Sequence, residues 1–364
     1  GPDAAGKAKQ ACPCLDAPYR ATDCCARISM EQFANDTPEL RNEAFQEAAA
    51  QLGMSKAIIE KDFWVCWSLK KLFALPVFGE QMIFKGGTSL SKAYDVIHRF
   101  SEDVDLSLDR EQLGFVGDRD PEGPDLSGKK QKKLLQKLQE VAEDAVGGQL
   151  MAEIQTAFDA NLEHEFTLSV DPNDAQTILF AYPSMAGNVA GYIQPIVRFE
   201  FGARGVQLPA EQIDIAPYLH QAFPDLLTDG QVGVKVLGVE RTFWEKATIL
   251  HMLFHQDAAK PLADRMSRHY YDMAQLIGHE AKDRALQSLD LLTQVAHHKS
   301  VFFKSAKANY EGAKPGSLRL TPNDSLTAAL RKDYAGMREM IIGDVPAFDE
   351  ILAKIETFEA EINS

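Results

Sequence analysis

The chain has 364 residues, 45% hydrophobic and 25% charged, which is enough for two domains with a well-buried core and is ordinary for a soluble globular protein. It holds no apolar run of about 18 residues and no signal-peptide core, so a membrane span is not expected and the cytoplasm is favoured. A net charge of −15 excludes a uniformly basic surface for indiscriminate nucleic-acid binding but leaves room for a local basic patch.

Residues 1–30 are expected to form a disordered leader. Cys12, Cys14, Cys24 and Cys25 crowd it, in a C-x-C…CC spacing that matches no common zinc pattern. Gly1-Pro2 has the look of a protease scar from a fusion, and Met30 offers a natural start. From Glu31 to Phe73 the pattern is helical, with Ser55 as an N-cap and Ile59, Phe63 and Cys66 on one face. A strand is predicted over Met82–Lys85, then a helix from Ser89 capped by Thr88, then a strand over Asp103–Leu108. Asp109–Gly128, rich in Gly, Pro and Asp, reads as a surface loop.

An amphipathic helix follows, with Leu134, Leu135, Leu138 and Val141 on its apolar stripe. Its lysines at 129, 130, 132, 133 and 137 form the dense basic cluster of the chain: a solvated face, or a contact for RNA backbone. EFTLSV, QTILFAY and GYIQPIVRFEFGAR are strand-like, the last alternating Ile196, Arg198 and Glu200 with Val197, Phe199 and Phe201. After about residue 205 the chain reads as loop, then as helix to the end. The architecture implied is α+β, a mixed sheet with helices packed on it.

Chemistry concentrates between Phe84 and Leu108, in FKGGTSLSKAYDVIHRFSEDVDLSL. Asp103, Asp105 and Ser107 share one strand face, while Val104, Leu106 and Leu108 share the other; Glu102 points off the acidic face. Two aspartates side by side above an apolar underside call for a cation, because like charges repel and desolvated carboxylates need compensation. Oxygen-only ligands favour Mg²⁺, with Mn²⁺ as the alternative. Gly86 and Gly87 allow a close backbone approach, and the helix start after Thr88 suits a phosphate. A phosphate site beside a metal site points to nucleotide chemistry.

KGGTSLSKAY followed by RFSEDVDL resembles the AbiEii/AbiGii toxin family of nucleotidyltransferases, whose fold is related to DNA polymerase β. The resemblance extends to Ile58–Phe73, to ERTFWEKATILH from Glu240 and to YYDMAQL from Tyr270. It implies a polymerase β-like nucleotidyltransferase domain over 31–205, a mixed sheet flanked by helices, and a mostly helical domain over 206–364 that completes the active site. It also implies a third acid beside the Asp-x-Asp strand, for which Glu200 is the candidate, both as metal ligand and as proton acceptor. The alternative for Glu200 is an ion pair with Arg198 on the same face. Thr242 and Glu245 read as a capping box, and Lys246 then falls on the apolar stripe of Ile249, Leu250 and Leu253. A lysine there must snorkel out or meet an anion; the resemblance implies the nucleotide's phosphates.

Asp272 matches the family's late aspartate, with Asp264 as the competing alignment and Arg268 as a local ion-pair partner. Arg99 and Ser101 match R-x-S-x-D-x-D, and Ser101 is a nucleotide-binding candidate with Gly86, Gly87, Thr88 and Lys246. Tyr94 suits either a base stack or the core. His98, His251 and His255 form no metal spacing. The activity expected is Mg²⁺-dependent transfer of an NMP from an NTP, GTP or CTP, to an acceptor hydroxyl, with release of pyrophosphate. By resemblance the acceptor is the tRNA 3′ end and the setting is phage defence or a toxin–antitoxin pair, the antitoxin being encoded nearby. The alternatives are a small-molecule or protein acceptor, or a GTP-binding growth regulator without transfer activity.

Overall fold

Side-chain caps start the first helices. Ser29 and Gln32 close a capping box on α1 (Met30–Ala34), Thr37 precedes the proline that opens α2 (Pro38–Leu52), and Ser55 accepts from the Ile58 amide at the start of α3 (Lys56–Leu72). This is a computed structural model, and it describes residues 27–101, 103–185, 194–256 and 261–364. The cysteine tract of the leader, Glu102 and the first residues of the run beginning at Gly191 lie outside the described residues.

Seven strands form one mixed sheet, β1 (Met82–Lys85), β2 (Asp103–Leu108), β3 (Thr167–Asp171), β4 (Asp174–Ala181), β5 (Ile196–Gly202), β6 (Ala210–Ile215) and β7 (Val232–Leu237). Their order is β3-β4-β5-β2-β1-β7-β6, with β2/β5 and β1/β7 parallel and the other pairs antiparallel. Register decides what the sheet presents. Asp103 lies opposite Arg198 and Asp105 opposite Glu200, while on its other side Asp105 lies opposite Lys85. Val104, Leu106, Val197 and Phe199 are therefore turned to the other face, where they are fully buried.

Against that apolar face packs α3, together with α5 (Gly128–Ala145) and α6 (Met151–Asp159), which a π-helical turn separates. An aromatic stack binds helices to sheet: Trp67 to Phe158 at 4.8 Å, Phe158 to Phe180 at 4.8 Å, and Phe180 to Phe199 at 6.1 Å between ring centroids. A second core gathers α8 (Val239–His255), α9 (Ser267–Ile277), α10 (Ala281–Gln287), α11 (Leu289–Phe302), α12 (Asp324–Met337) and α13 (Phe348–Asn363). Leu90, Val96 and Ile97, which follow β1 in the chain, join this second core. No helix among the described residues is long and apolar enough to cross a membrane.

Three expectations are corrected. The stretch after residue 205 is not simply loop: β6 and β7 come from it and complete the sheet, with a short helix α7 (Tyr218–Ala222) between them. The helix after β1, α4 (Gly86–Lys92), starts at the glycines and stops before Tyr94, so Thr88 lies inside it. Its N-cap position is Lys85, and the Thr88 hydroxyl is drawn instead to the Asp103 carbonyl at the start of β2. Likewise α8 starts at Val239 behind Gly238, so Thr242 and Glu245 form no capping box; the Thr242 hydroxyl donates to the Gly238 carbonyl at 3.3 Å.

Phe180 is fully buried between α6 and Phe199 of the strand that carries Glu200. Phe180→Ala is expected to lower stability by about 3–5 kcal/mol, the usual range for deleting a buried aromatic. Urea unfolding should show this as a lower midpoint at an unchanged slope. An unmoved midpoint would mean that the stack does not hold sheet to helices.

Candidate active site

Lys85, Asp105 and Glu200 form a row, with Asp103 and Arg198 one step along, and all of these but Arg198 line a cleft of about 610 Å³. Arg198 is shared among three acids: Nη1 lies 2.7 Å from Asp171 Oδ2, and Nε lies 3.5 Å from Asp103 Oδ1 and 3.6 Å from Glu200 Oε1. The ion pair expected as the alternative role of Glu200 thus exists, but it is long and divided. Burial, then the charges of Asp105 and Asp103, push the Glu200 carboxyl up to about 7, and Arg198 offsets only part of this. The row therefore carries more negative charge than its own arginine balances.

Gly86 sits at φ 79°, and a Cβ there would lie 2.0 Å from Asp105 Oδ2. At Gly87 a Cβ would lie 2.8 Å from an Arg99 guanidinium nitrogen and 2.9 Å from Ser101 Oγ. The two glycines let the first turn of α4 lie directly against Asp105 of β2 and against Arg99 and Ser101 before it, and both line the cleft with Ser101. Thr88 does not line it. Buried, it donates its hydroxyl to the Asp103 carbonyl, fixing the entry to β2.

Among the described residues no three His, Cys, Asp or Glu side chains already converge as a metal cage. The donor set nevertheless fits a divalent cation of the Mg²⁺ or Mn²⁺ kind. Asp103, Asp105 and Glu200 offer oxygen only, their mutual repulsion is under-compensated, and a side chain at Gly86 would intrude on Asp105.

A second cluster closes the site from the helical side. Asp272 on α9 is fully buried and does not reach the cleft. Its two oxygens take Arg99 Nε at 2.7 Å and Nη2 at 2.9 Å, and Lys246 Nζ at 2.8 Å. Burial alone would raise this carboxyl, but Arg99 and Lys246 outweigh it and hold it well below the usual carboxylate range. Arg99 and Lys246 both line the cleft. Burial and the Arg99 charge push Lys246 down, while Asp272 supports its proton. His269 Nδ1 lies 3.2 Å from Lys246 Nζ; burial, then Lys246 and Arg268, hold the imidazole neutral, so this nitrogen accepts. Of the two competing aspartates, Asp264 is exposed, and the local pairing expected of Asp272 with Arg268 is replaced by the long-range pairing with Arg99.

Other candidates lie elsewhere. Tyr94 donates to the Leu237 carbonyl at 2.9 Å and to Glu211 at 3.2 Å, tying the end of α4 to β6 and β7. His251 is buried between the Asn309 carbonyl and the Arg319 amide, a structural role. The five lysines of α5 are exposed, and Gln139 on the same helix lines the cleft. Lys85, His269, Lys299 and Phe303 also line the cleft and did not emerge from sequence reasoning. Lys85 was within reach of it, since it ends the MIFK strand directly before the glycines. The others sit on helices far along the chain, where no spacing marks them.

Residues 67–354 match the family described as "Nucleotidyl transferase AbiEii toxin, Type IV TA system". The protein is a nucleotidyltransferase, and it belongs to this family of type IV toxin–antitoxin toxins. Among solved structures it is similar to MenT4, a nucleotidyltransferase toxin from Mycobacterium tuberculosis H37Rv, at 17% identity and a TM-score of 0.43, over 90% of this chain and 97% of that one. No curated protein matches the sequence.

Gly86→Ala is expected to cut nucleotidyl transfer by about 100-fold or more, because small displacements at a reacting centre are that costly. Circular dichroism should remain that of a folded protein; full activity in the variant would show that Asp105 need not sit where it does. Glu200 gives a pH test in metal chelator. Its folded-state carboxyl titrates near 7 rather than at 4.5, so between these values the native state binds more protons than the unfolded one. The contribution of this group to stability therefore falls as pH rises from 4.5 to about 7 and is flat above. Glu200→Gln should remove that fall, melting near the wild-type temperature at the acid end and above it past neutrality. Parallel melting profiles for the two proteins would contradict the charge imbalance.

Proposed function

We propose that the protein transfers an NMP from an NTP, GTP or CTP, to the 3′ hydroxyl of tRNA, releasing pyrophosphate, in a reaction that needs Mg²⁺ or Mn²⁺. The observation that carries this reading is the cleft itself. One wall bears Asp103, Asp105 and Glu200 in register, and another bears the cations Arg99 and Lys246, locked in place by Asp272. Carboxylates beside preset cations suit a metal–triphosphate, whose charges are arranged in the complementary way.

In this reading Asp103, Asp105 and Glu200 hold the divalent ion, which when bound offsets charge on the reacting phosphate and the pyrophosphate leaving group. Glu200 is also the carboxylate suited to take the proton from the acceptor hydroxyl. Lys246 and Arg99 grip phosphate oxygens, and neither has to be ordered on binding, because the Asp272 carboxylate has already fixed both. Asp272 is thus a positioning residue. Gly86 and Gly87 leave room for Asp105, Arg99 and Ser101 against the first turn of α4, and both glycines line the cleft that takes the nucleotide in this reading. An RNA acceptor is favoured by the exposed lysines of α5, on the helix whose Gln139 lines the cleft; such a face neutralises backbone phosphates. The reaction belongs to the cytoplasm, where tRNA and NTPs are available, and the cognate antitoxin is encoded nearby.

The test is incubation with each of four α-³²P NTPs, Mg²⁺ and total bacterial RNA. Label at tRNA size with GTP or CTP, lost on adding chelator, is the expected result. Asp103→Ala, verified as folded, should transfer at least about 1,000-fold more slowly, consistent with loss of preorganised electrostatic stabilisation. Label on a polypeptide or small molecule would move the acceptor away from RNA. Nucleotide binding with no pyrophosphate released would overturn transfer altogether and leave a regulator.

A further inference from the structure

We propose that Phe303 and Lys299, at the C-terminal end of α11, form a docking element for a nucleotide unit, in which a nucleobase stacks on the Phe303 ring and an attached phosphate meets the Lys299 ammonium. The proposal rests on the nucleotidyltransferase reading and extends it, since the residues named so far handle phosphates and leave the base without a partner.

Single exposed apolar side chains are normal and need no function. Phe303 differs in where it stands. Among the described residues the exposed large hydrophobic side chains are Val77, Val116, Met185, Leu208, Leu289 and Phe303. Of these, Phe303 is the one aromatic and the one that lines the cleft, with 47% of its surface open. Its place is fixed. The Phe303 amide donates to the Lys299 carbonyl at 2.9 Å, closing the last turn of α11. Behind it, the His298 ring lies 6.2 Å from the Phe303 ring, stacks on Phe302 at 4.5 Å and is hydrogen-bonded to the Arg204 carbonyl at 2.6 Å. A phenylalanine on a fixed backbone has only two side-chain torsions to lose when a base is added, which favours aromatic platforms.

Lys299 completes the element. Its ammonium lies 5.4 Å from the Phe303 centroid, within cation–π range. Among the described residues no carboxylate lies within ion-pair distance of it; burial pushes the ammonium down to about 8, and Glu245, the acid that opposes this, is engaged by Arg241 at 3.4 Å. Lys85 and Lys246 line the same cleft and add positive charge beside Lys299, although Lys246 is itself paired with Asp272. A phosphate answers that charge, and the roughly 610 Å³ of space is of the size that small-ligand sites occupy. Base recognition by stacking tolerates different bases, so this element supplies affinity for a nucleotide more than choice among nucleotides.

Two nucleotides present this chemistry, the donor NTP and the terminal nucleotide of an RNA acceptor, and one experiment separates them. Binding of each of the four labelled NTPs is measured by equilibrium dialysis with Ca²⁺ replacing Mg²⁺, and KM for total bacterial tRNA is measured at saturating NTP. The proteins compared are wild type, Phe303→Ala, Phe303→Leu, Phe303→Trp and Lys299→Met, each checked by its melting temperature. If the donor base stacks here, Phe303→Ala and Phe303→Leu weaken NTP binding by about 5- to 100-fold and Phe303→Trp retains it. If the acceptor's base stacks here, NTP binding is unchanged and KM for tRNA rises by a similar factor, again spared in Phe303→Trp. Lys299→Met should impair the same step as Phe303→Ala, whichever that is. Wild-type values within twofold for both Phe303→Ala and Lys299→Met would overturn the docking element while transfer itself stands. A wild-type protein that neither binds nor transfers nucleotide would instead remove the underlying reading, and this one with it.

Discussion

Arg99 and Lys246 come from opposite halves of the chain and both end on Asp272, a carboxylate with no access to solvent. Three buried charges at one point are tolerable only as a set. Removing the acid would strand two desolvated cations, at a typical cost of about 3–5 kcal/mol. The triad therefore decides where the sheet meets the helical half. Arg99 stands just before β2, and on either side of it the backbone is bonded to the C-terminal half, Phe100 N–H to the Met340 carbonyl and Ile342 N–H to the His98 carbonyl, each at 2.7 Å. The strand that bears Asp103 and Asp105 is thereby anchored at its start by groups from the other end of the chain.

Given that anchor, the cleft works by opposition. The acidic row is under-compensated by Arg198, and the cations of the facing elements lack enough anions, so each wall is held in a state that a metal-bound polyanion would relieve. The net charge of −15 makes this local arrangement more necessary, because the protein as a whole repels nucleotides and nucleic acid. Attraction has to be built inside the cleft. In the proposed reading the helices supply it with Lys246 and Lys299, the sheet with Lys85, and the turn before β2 with Arg99, all of which line the cleft.

What the sequence made legible was whatever is written in neighbouring residues. The alternation of Asp103 to Leu108 gives the strand and its two faces, Met82–Lys85 is a strand with the expected bounds, and Ser55 caps α3. Contacts across long separations leave no spacing to read. Arg99 and Asp272 are 173 residues apart, and local reasoning offered Arg268 in place of Arg99. Thr88 and Thr242 both have the chemistry of caps, but each sits inside a helix that tertiary packing starts earlier. The strands beyond residue 205 were hidden for a related reason: β6 runs along the sheet edge with polar residues on its open side, so its pattern resembles a loop until β7 pairs with it.

The backbone ties between 98–100 and 340–342 have a bearing on the order in which the protein is assembled. Synthesis proceeds from the N-terminus at roughly 5–20 residues per second, so the segment that pins β2 is made roughly 10–50 s after the aspartates it steadies. Until then Arg99 has no strand partner at Ile341, and α12, which leads into that segment, is unfinished. A nascent chain that has made β2 therefore carries Asp103 and Asp105 but not yet the groups that hold the entry to that strand. In the order of synthesis, then, the acidic strand precedes the groups that pin its start.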